Sequence, residues 1–136
     1  MATSLDPYLS FGDNAREAME FYQGVFGGEL TVSTFGDFQL SDNPADTDKV
    51  MHSQLVSPGG LTLMGADTPT GMPGGQSNGT LSLSGPDEAE LRGFWDKLSD
   101  GGEVTMPLEP APWGDIFGMC TDKYGVSWMV DITQQA

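Results

Sequence analysis

The chain has one histidine, His52, in the middle of Val50-Met51-His52-Ser53-Gln54-Leu55. Alternation along an extended segment puts His52 and Gln54 on one face. Histidine is the side chain that naturally titrates near neutral pH, so His52 is a candidate general base or hydrogen-bonding partner for a ligand. The structural alternative is a buried ring bonded to a backbone carbonyl or to Asp67. Around this residue a second set points to small-molecule chemistry. Trp113, Phe117 and Trp128, with Phe35 and Phe38, could wall an apolar pocket, and His52, Gln54, Ser10, Ser82 and Asp67 would be the polar groups that orient an occupant. Trp95 falls on a helical stripe and reads as core. The single cysteine, Cys120, excludes an internal disulfide and a cysteine cluster for zinc. By alternation it points away from the face of Met119, as a small core residue rather than a nucleophile.

What must position these residues is a plan used twice. Gly27-Gly28-Glu29-Leu30-Thr31-Val32 is echoed by Gly101-Gly102-Glu103-Val104-Thr105-Met106, an offset of 74. Phe21-Tyr22 is echoed by Phe94-Trp95, and Gly60-Leu61-Thr62-Leu63-Met64 by Gly125-Val126-Ser127-Trp128-Met129, an offset of 65. Leu9-Ser10-Phe11 is echoed by Leu81-Ser82-Leu83, an offset of 72. The matches keep their order, as one supersecondary module used twice would require. Two such modules can build a concavity lined by equivalent positions of both. On this alignment His52 pairs with Phe117 and Gln54 with Met119.

Each module reads as strand, helix, strand, strand, strand. In the first, about 7–67, Pro7 to Phe11 is a strand. Asn14-Ala15-Arg16-Glu17 has the form of a capping box, and the helix runs to about Phe26 with Ala15, Ala18, Met19, Tyr22, Val25 and Phe26 as its buried stripe. Gly27-Gly28 ends it, and Glu29 to Thr34 is a strand. Phe35 to Asp48 is a polar loop broken by Pro44, a candidate flap. Val50 to Ser57 and Leu61 to Gly65 form a hairpin across Pro58-Gly59-Gly60. A Gly- and Pro-rich linker covers about 68–78. In the second module, about 79–132, Thr80 to Ser84 is a strand and Pro86 opens a helix with the stripe Leu91, Phe94, Trp95 and Leu98. Glu103 to Met106 is a strand and Pro107 to Pro112 a loop. Asp115 to Thr121 and Val126 to Ile132 close a hairpin around Asp122-Lys123-Tyr124-Gly125. The expected fold is α+β, a single domain over 1–136 whose two tandem βαβββ modules form a cupped mixed β-sheet flanked by helices.

These residues carry a resemblance. Pro7-Tyr8-Leu9-Ser10-Phe11, Ala18 through Phe21-Tyr22, His52, Leu63-Met64 with Asp67, Trp113-Gly114-Asp115-Ile116-Phe117-Gly118 and Asp122-Lys123-Tyr124-Gly125-Val126-Ser127-Trp128-Met129 resemble the vicinal oxygen chelate superfamily. That superfamily includes glyoxalase I, extradiol dioxygenases and bleomycin-resistance proteins, and within it the PhnB/YjdN-like family is the most similar. The resemblance implies a homodimer with a cupped sheet. Family members have been labelled phosphonate-metabolism proteins and ubiquinone-pathway methyltransferases, but no glycine-rich strand-to-helix cofactor motif of the dinucleotide-binding kind is present to support either label.

Enzymes of this superfamily hold a divalent metal through His, Gln or Glu on the first and last strand of each module. The matching positions fall near Pro7, at Met64, near Gly79 or Thr80, and at Met129, and none is His, Gln or Glu. Catalytic sites for Zn, Ni, Fe or Mn need N or O donors. Met64 and Met129 read instead as soft residues filling a symmetric cavity. No cofactor is therefore expected, with a divalent metal as the alternative. The expected function is metal-independent small-molecule binding, with Ser10, Phe38, Gln54, Met64, Asp67, Ser82, Trp113, Phe117, Trp128 and Met129 toward the ligand. The alternative is a glyoxalase-like or dioxygenase-like lyase or isomerase using a divalent metal or His52 as base.

Charge narrows the partners. Lys and Arg number 5 against 20 Asp and Glu, a net charge of -15. No basic patch for a nucleic-acid backbone or an anionic membrane can be assembled from so few cations. A cationic ligand is compatible, with cation–π contact to Trp113 or Trp128. No apolar run approaches the roughly 20 residues of a membrane span, and the N-terminus lacks the form of a signal peptide, so a cytoplasmic protein is expected.

Overall fold

Glycine pairs, hairpin turns and amphipathic stripes recur in the same order, and the backbone follows them. The computed structural model describes residues 6–38, 44–69 and 79–134. It divides into two compact units, Met1–Ser77 and Asn78–Ala136. Unit 1 contains β1 (Tyr8–Phe11), α1 (Ala15–Phe26), β2 (Glu29–Thr34), the single turn α2 (Phe35–Phe38), a 3-10 turn at Pro44–Asp46, β3 (Val50–Val56) and β4 (Thr62–Asp67). Unit 2 contains β5 (Thr80–Gly85), α3 (Glu88–Ser99), β6 (Glu103–Pro110), β7 (Ile116–Thr121) and β8 (Ser127–Ile132). Each unit folds one four-stranded mixed sheet, in the orders β1-β4-β3-β2 and β5-β8-β7-β6. The outer pairs β1–β4 and β5–β8 are parallel and the rest antiparallel. This is α+β architecture built from two βαβββ modules. The stretch 70–78, most of the expected linker, lies outside the described residues.

Each helix covers one face of its own sheet. Ala15, Ala18, Met19, Tyr22 and Val25 of α1 are buried with Leu9, Phe11, Leu55 and Leu63 from the strands. In unit 2, Leu91, Trp95 and Leu98 of α3 are buried with Cys120, Trp128, Val130 and Ile132. The opposite face of each sheet carries the other half of every strand's residues. A glycine is required where β2 and β6 begin: a Cβ at Gly28 would strike the carbonyl of Val56, and one at Gly102 that of Thr121. The two hairpins are also equivalent. Leu61 N–H donates to Ser57 Oγ at 3.1 Å and Val126 N–H to Asp122 Oδ1 at 3.1 Å, and Gly60 and Gly125 both take positive φ.

Several local expectations are corrected. Asn14 makes no side-chain capping bond; Ala15 N–H donates instead to Asp67 Oδ1 at 2.8 Å, and Asp67 Oδ2 accepts from Val50 N–H at 2.8 Å. In unit 2 the helix starts after Pro86, with Asp87 as N-cap accepting from Glu90 N–H. β6 continues through Pro107 to Pro110, which its edge position permits because proline need not donate there. The segment after β2 opens with reciprocal bonds, Thr34 N–H to Asp37 Oδ2 at 2.8 Å and Asp37 N–H to Thr34 Oγ1 at 3.1 Å.

The Asp67 carboxylate satisfies two backbone donors, one each from α1 and β3, in a buried setting. Orphaning buried donors costs about 1–3 kcal/mol each. Asp67→Ala should lower unfolding stability by about 2–4 kcal/mol in urea denaturation, and Asp67→Asn, which keeps one acceptor, by less.

Candidate functional site

The faces turned away from the helices carry the candidate chemistry. In unit 1 the ladder sets Tyr8 beside Met64, Met64 beside Gln54 and Gln54 beside Thr31. The next row holds Ser10 beside Ala66, and His52 beside Ser33. In unit 2 the corresponding rows are Ser82, Met129, Met119 and Met106, then Ser84, Asp131, Phe117 and Glu109. His52 thus matches Phe117, and Gln54 matches Met119. The register also corrects the echo of the first strands: Tyr8, not Ser10, is the counterpart of Ser82. A slip of two residues keeps every side chain on its face, so pattern alone could not reveal it.

Two expected site residues belong elsewhere. Asp67 is buried and committed to the backbone of α1 and β3. Trp128 lies on the helix-facing side, only 3% exposed, with its indole N–H donating to Asp122 Oδ2 at 2.8 Å. Neither lines an open face. Phe38 closes α2, and its side chain lies outside the described residues. Ser10, His52, Gln54 and Met64 come together in unit 1; Ser82, Phe117 and Met129 come together in unit 2. Cys120 is buried behind β7, its thiol pushed up to about 11 by burial and by the charge of Asp122, which leaves it protonated and unreactive.

Two features were not read from the sequence. Tyr8, in the row next to His52, places its hydroxyl 3.3 Å from His52 Nδ1, with ring centroids 5.7 Å apart. Its membership of the His52 face was legible from strand alternation, but its reach across β4 was not. The second is an acidic pair beside Phe117. Asp131 Oδ1 is buried with no hydrogen-bond partner among the described residues. Burial, then a hydrogen bond and repulsion from Asp115, raise the Asp131 carboxyl.

At the end of β6 the prolines enclose an open pocket of about 340 Å³. Met106, Glu109, Trp113 and Phe117 line it. Trp113 is 61% exposed and meets Phe117 edge-on at 5.4 Å between centroids. The result is an aromatic corner with a carboxylate nearby, a setting suited to an apolar or cationic group.

The sequence of residues 4–130 matches the model of the Glyoxalase/Bleomycin resistance protein/Dioxygenase superfamily. The chain belongs to that superfamily. It is 30% identical to protein YjdN of Escherichia coli, over 96% of each chain. The crystal structure of protein PA1353 from Pseudomonas aeruginosa is 40% identical, with a TM-score of 0.82 over 96% of this chain and 97% of that one. The PhnB protein of Bacillus cereus is 26% identical, with a TM-score of 0.71 over 95% and 98%.

Superfamily membership raises the question of a metal. Alignment on Met64 and Met129 puts Tyr8 and Ser82 at the first-strand positions. A phenol, a hydroxyl and two thioethers do not fit a divalent metal that requires imidazole or carboxylate donors. Among the described residues no three His, Cys, Asp or Glu side chains gather where they could share an ion. No helix there is long and apolar enough to cross a membrane.

The raised Asp131 carboxyl has a definite sign for stability. The folded state holds this proton more tightly than the unfolded state, so the stabilisation is full below the ordinary carboxylate value and is lost as pH rises through the folded value. Ionisation of Asp131 therefore weakens the fold as pH rises. Asp131→Asn should flatten the loss of stability above about pH 4, so that its Tm gains on the wild type as pH rises. Thermal melts from pH 4 to 8 check this.

Proposed function

We propose that this protein binds a small molecule without a divalent metal, in the manner of the bleomycin-resistance branch of its superfamily. The observation that carries the reading is the pairing of Trp113 with Phe117 over the pocket beside Glu109. The donor set at Tyr8, Met64, Ser82 and Met129 supports metal independence. A net charge of -15 favours a neutral or cationic occupant and disfavours nucleic acid and anionic membranes. The same reading takes the protein as a cytoplasmic homodimer; Val104 and Met106, exposed on the edge strand β6, support contact with a second copy.

A second reading is a glyoxalase-like or dioxygenase-like lyase or isomerase. It is favoured by the position of His52 on the open face of unit 1, with its Nδ1 3.3 Å from the Tyr8 hydroxyl. His52→Ala separates the two: a binder keeps most of its affinity and an enzyme loses turnover.

Trp95 and Trp128 are buried while Trp113 is exposed, so quenching by a solute reports on Trp113. Benzyltrimethylammonium should quench tryptophan emission saturably, equally with and without EDTA, and benzoate should not. Trp113→Phe should abolish the effect. Absence of saturable quenching, or a requirement for metal, refutes the proposal.

A further inference from the structure

Tyr8 and His52 stand on β1 and β3, separated by β4, yet their rings tilt toward each other at 31° and their polar atoms are 3.3 Å apart. On that face the intervening strand carries Met64 beside Tyr8 and the short Ala66 beside Ser10. This contact joins Nδ1, not Nε2, to the phenol. Among the described residues Nε2 has no hydrogen-bond partner. A phenol is the more acidic donor of the two groups and an imidazole nitrogen the more basic acceptor. Partial burial raises the phenol further above its ordinary value, so Tyr8 keeps its proton through the neutral range.

We infer that Tyr8 is a positioning residue that donates to Nδ1 of His52 and so places the neutral imidazole's proton on Nε2. The partner of one ring nitrogen sets the tautomer of the other. His52 then offers a hydrogen-bond donor at the open face rather than a base. The ligand group it fits is an acceptor oxygen, of the carbonyl or phosphoryl class, on a molecule whose net charge is not negative. Gln54, next along the same face of β3, supplies a neutral amide beside it. This ligand assignment rests on the second reading above, in which the open face of unit 1 meets a small molecule; the tautomer does not.

The single histidine makes the test direct. Long-range proton–nitrogen correlation on uniformly 15N-labelled protein, at about pH 8.5 where an ordinary imidazole is neutral, gives one pair of ring nitrogens. Nε2 is the nitrogen coupled to both ring carbon-bound protons. The inference expects Nε2 at the upfield, protonated position and Nδ1 downfield. In Tyr8→Phe, which leaves an exposed site and an intact fold by circular dichroism, the two nitrogens should move toward each other as the tautomers mix. Tyr124→Phe, on unit 2, should leave both in place. A wild-type proton on Nδ1, or a Tyr8→Phe spectrum identical to wild type, overturns it. The experiment uses no ligand, so its failure is distinct from failure of the binding proposal.

Discussion

The Asp67 carboxylate is the constraint on which unit 1 depends. One oxygen takes the first N–H of α1 and the other takes the N–H that begins β3, while its own residue ends β4 beside Phe11 of β1. Thr68 then donates through its N–H and hydroxyl to Phe11 O, at 2.8 and 2.9 Å, and Lys49 Nζ reaches Thr68 O at 3.1 Å and Asp46 at 3.3 Å. Three strands and a helix are thereby registered at one end. With β1, β3 and β4 fixed there, Tyr8, His52, Gln54 and Met64 have no freedom to leave their shared face. A buried carboxylate that failed to find these donors would be costly, so the arrangement specifies as well as stabilises.

Unit 2 solves the same problem by different means. The position equivalent to Asp67 is Ile132, and α3 is capped locally by Asp87. The buried carboxylate is moved to Asp122, which organises the β7–β8 turn and holds Trp128. The two open faces differ accordingly. Unit 1 presents a phenol, an imidazole and an amide; unit 2 presents thioethers, Phe117 and the Asp131–Asp115 pair. One scaffold used twice thus yields one polar surface and one soft, aromatic surface, and among the described residues no three His, Cys, Asp or Glu side chains gather on either to share an ion.

Much of this was legible in the chain because glycine pairs, proline turns and helical stripes punctuate it strongly. Strand alternation placed His52 with Gln54 and sent Cys120 to the core. The failures have physical causes. Asn14 looks like a cap, but a carboxylate distant in sequence competes for the same N–H. Trp128 reads as a pocket wall until the alternation from Met129 is enforced: neighbours on a strand cannot share a face. Val50 would join His52 by alternation, yet an irregularity in the β2–β3 register turns it into the core. The contact between Tyr8 and His52 spans an intervening strand, which no local pattern encodes.

The central claim is that this member of the superfamily works through its open faces without a metal. Native mass spectrometry of untagged protein, expressed in medium supplemented with Ni, Zn, Mn and Fe and then dialysed, tests it most directly. The account predicts the mass of the bare polypeptide and no thermal shift when those ions are added back. One divalent ion retained per chain would contradict it, and would mean that donors other than Tyr8, Met64, Ser82 and Met129 form the centre.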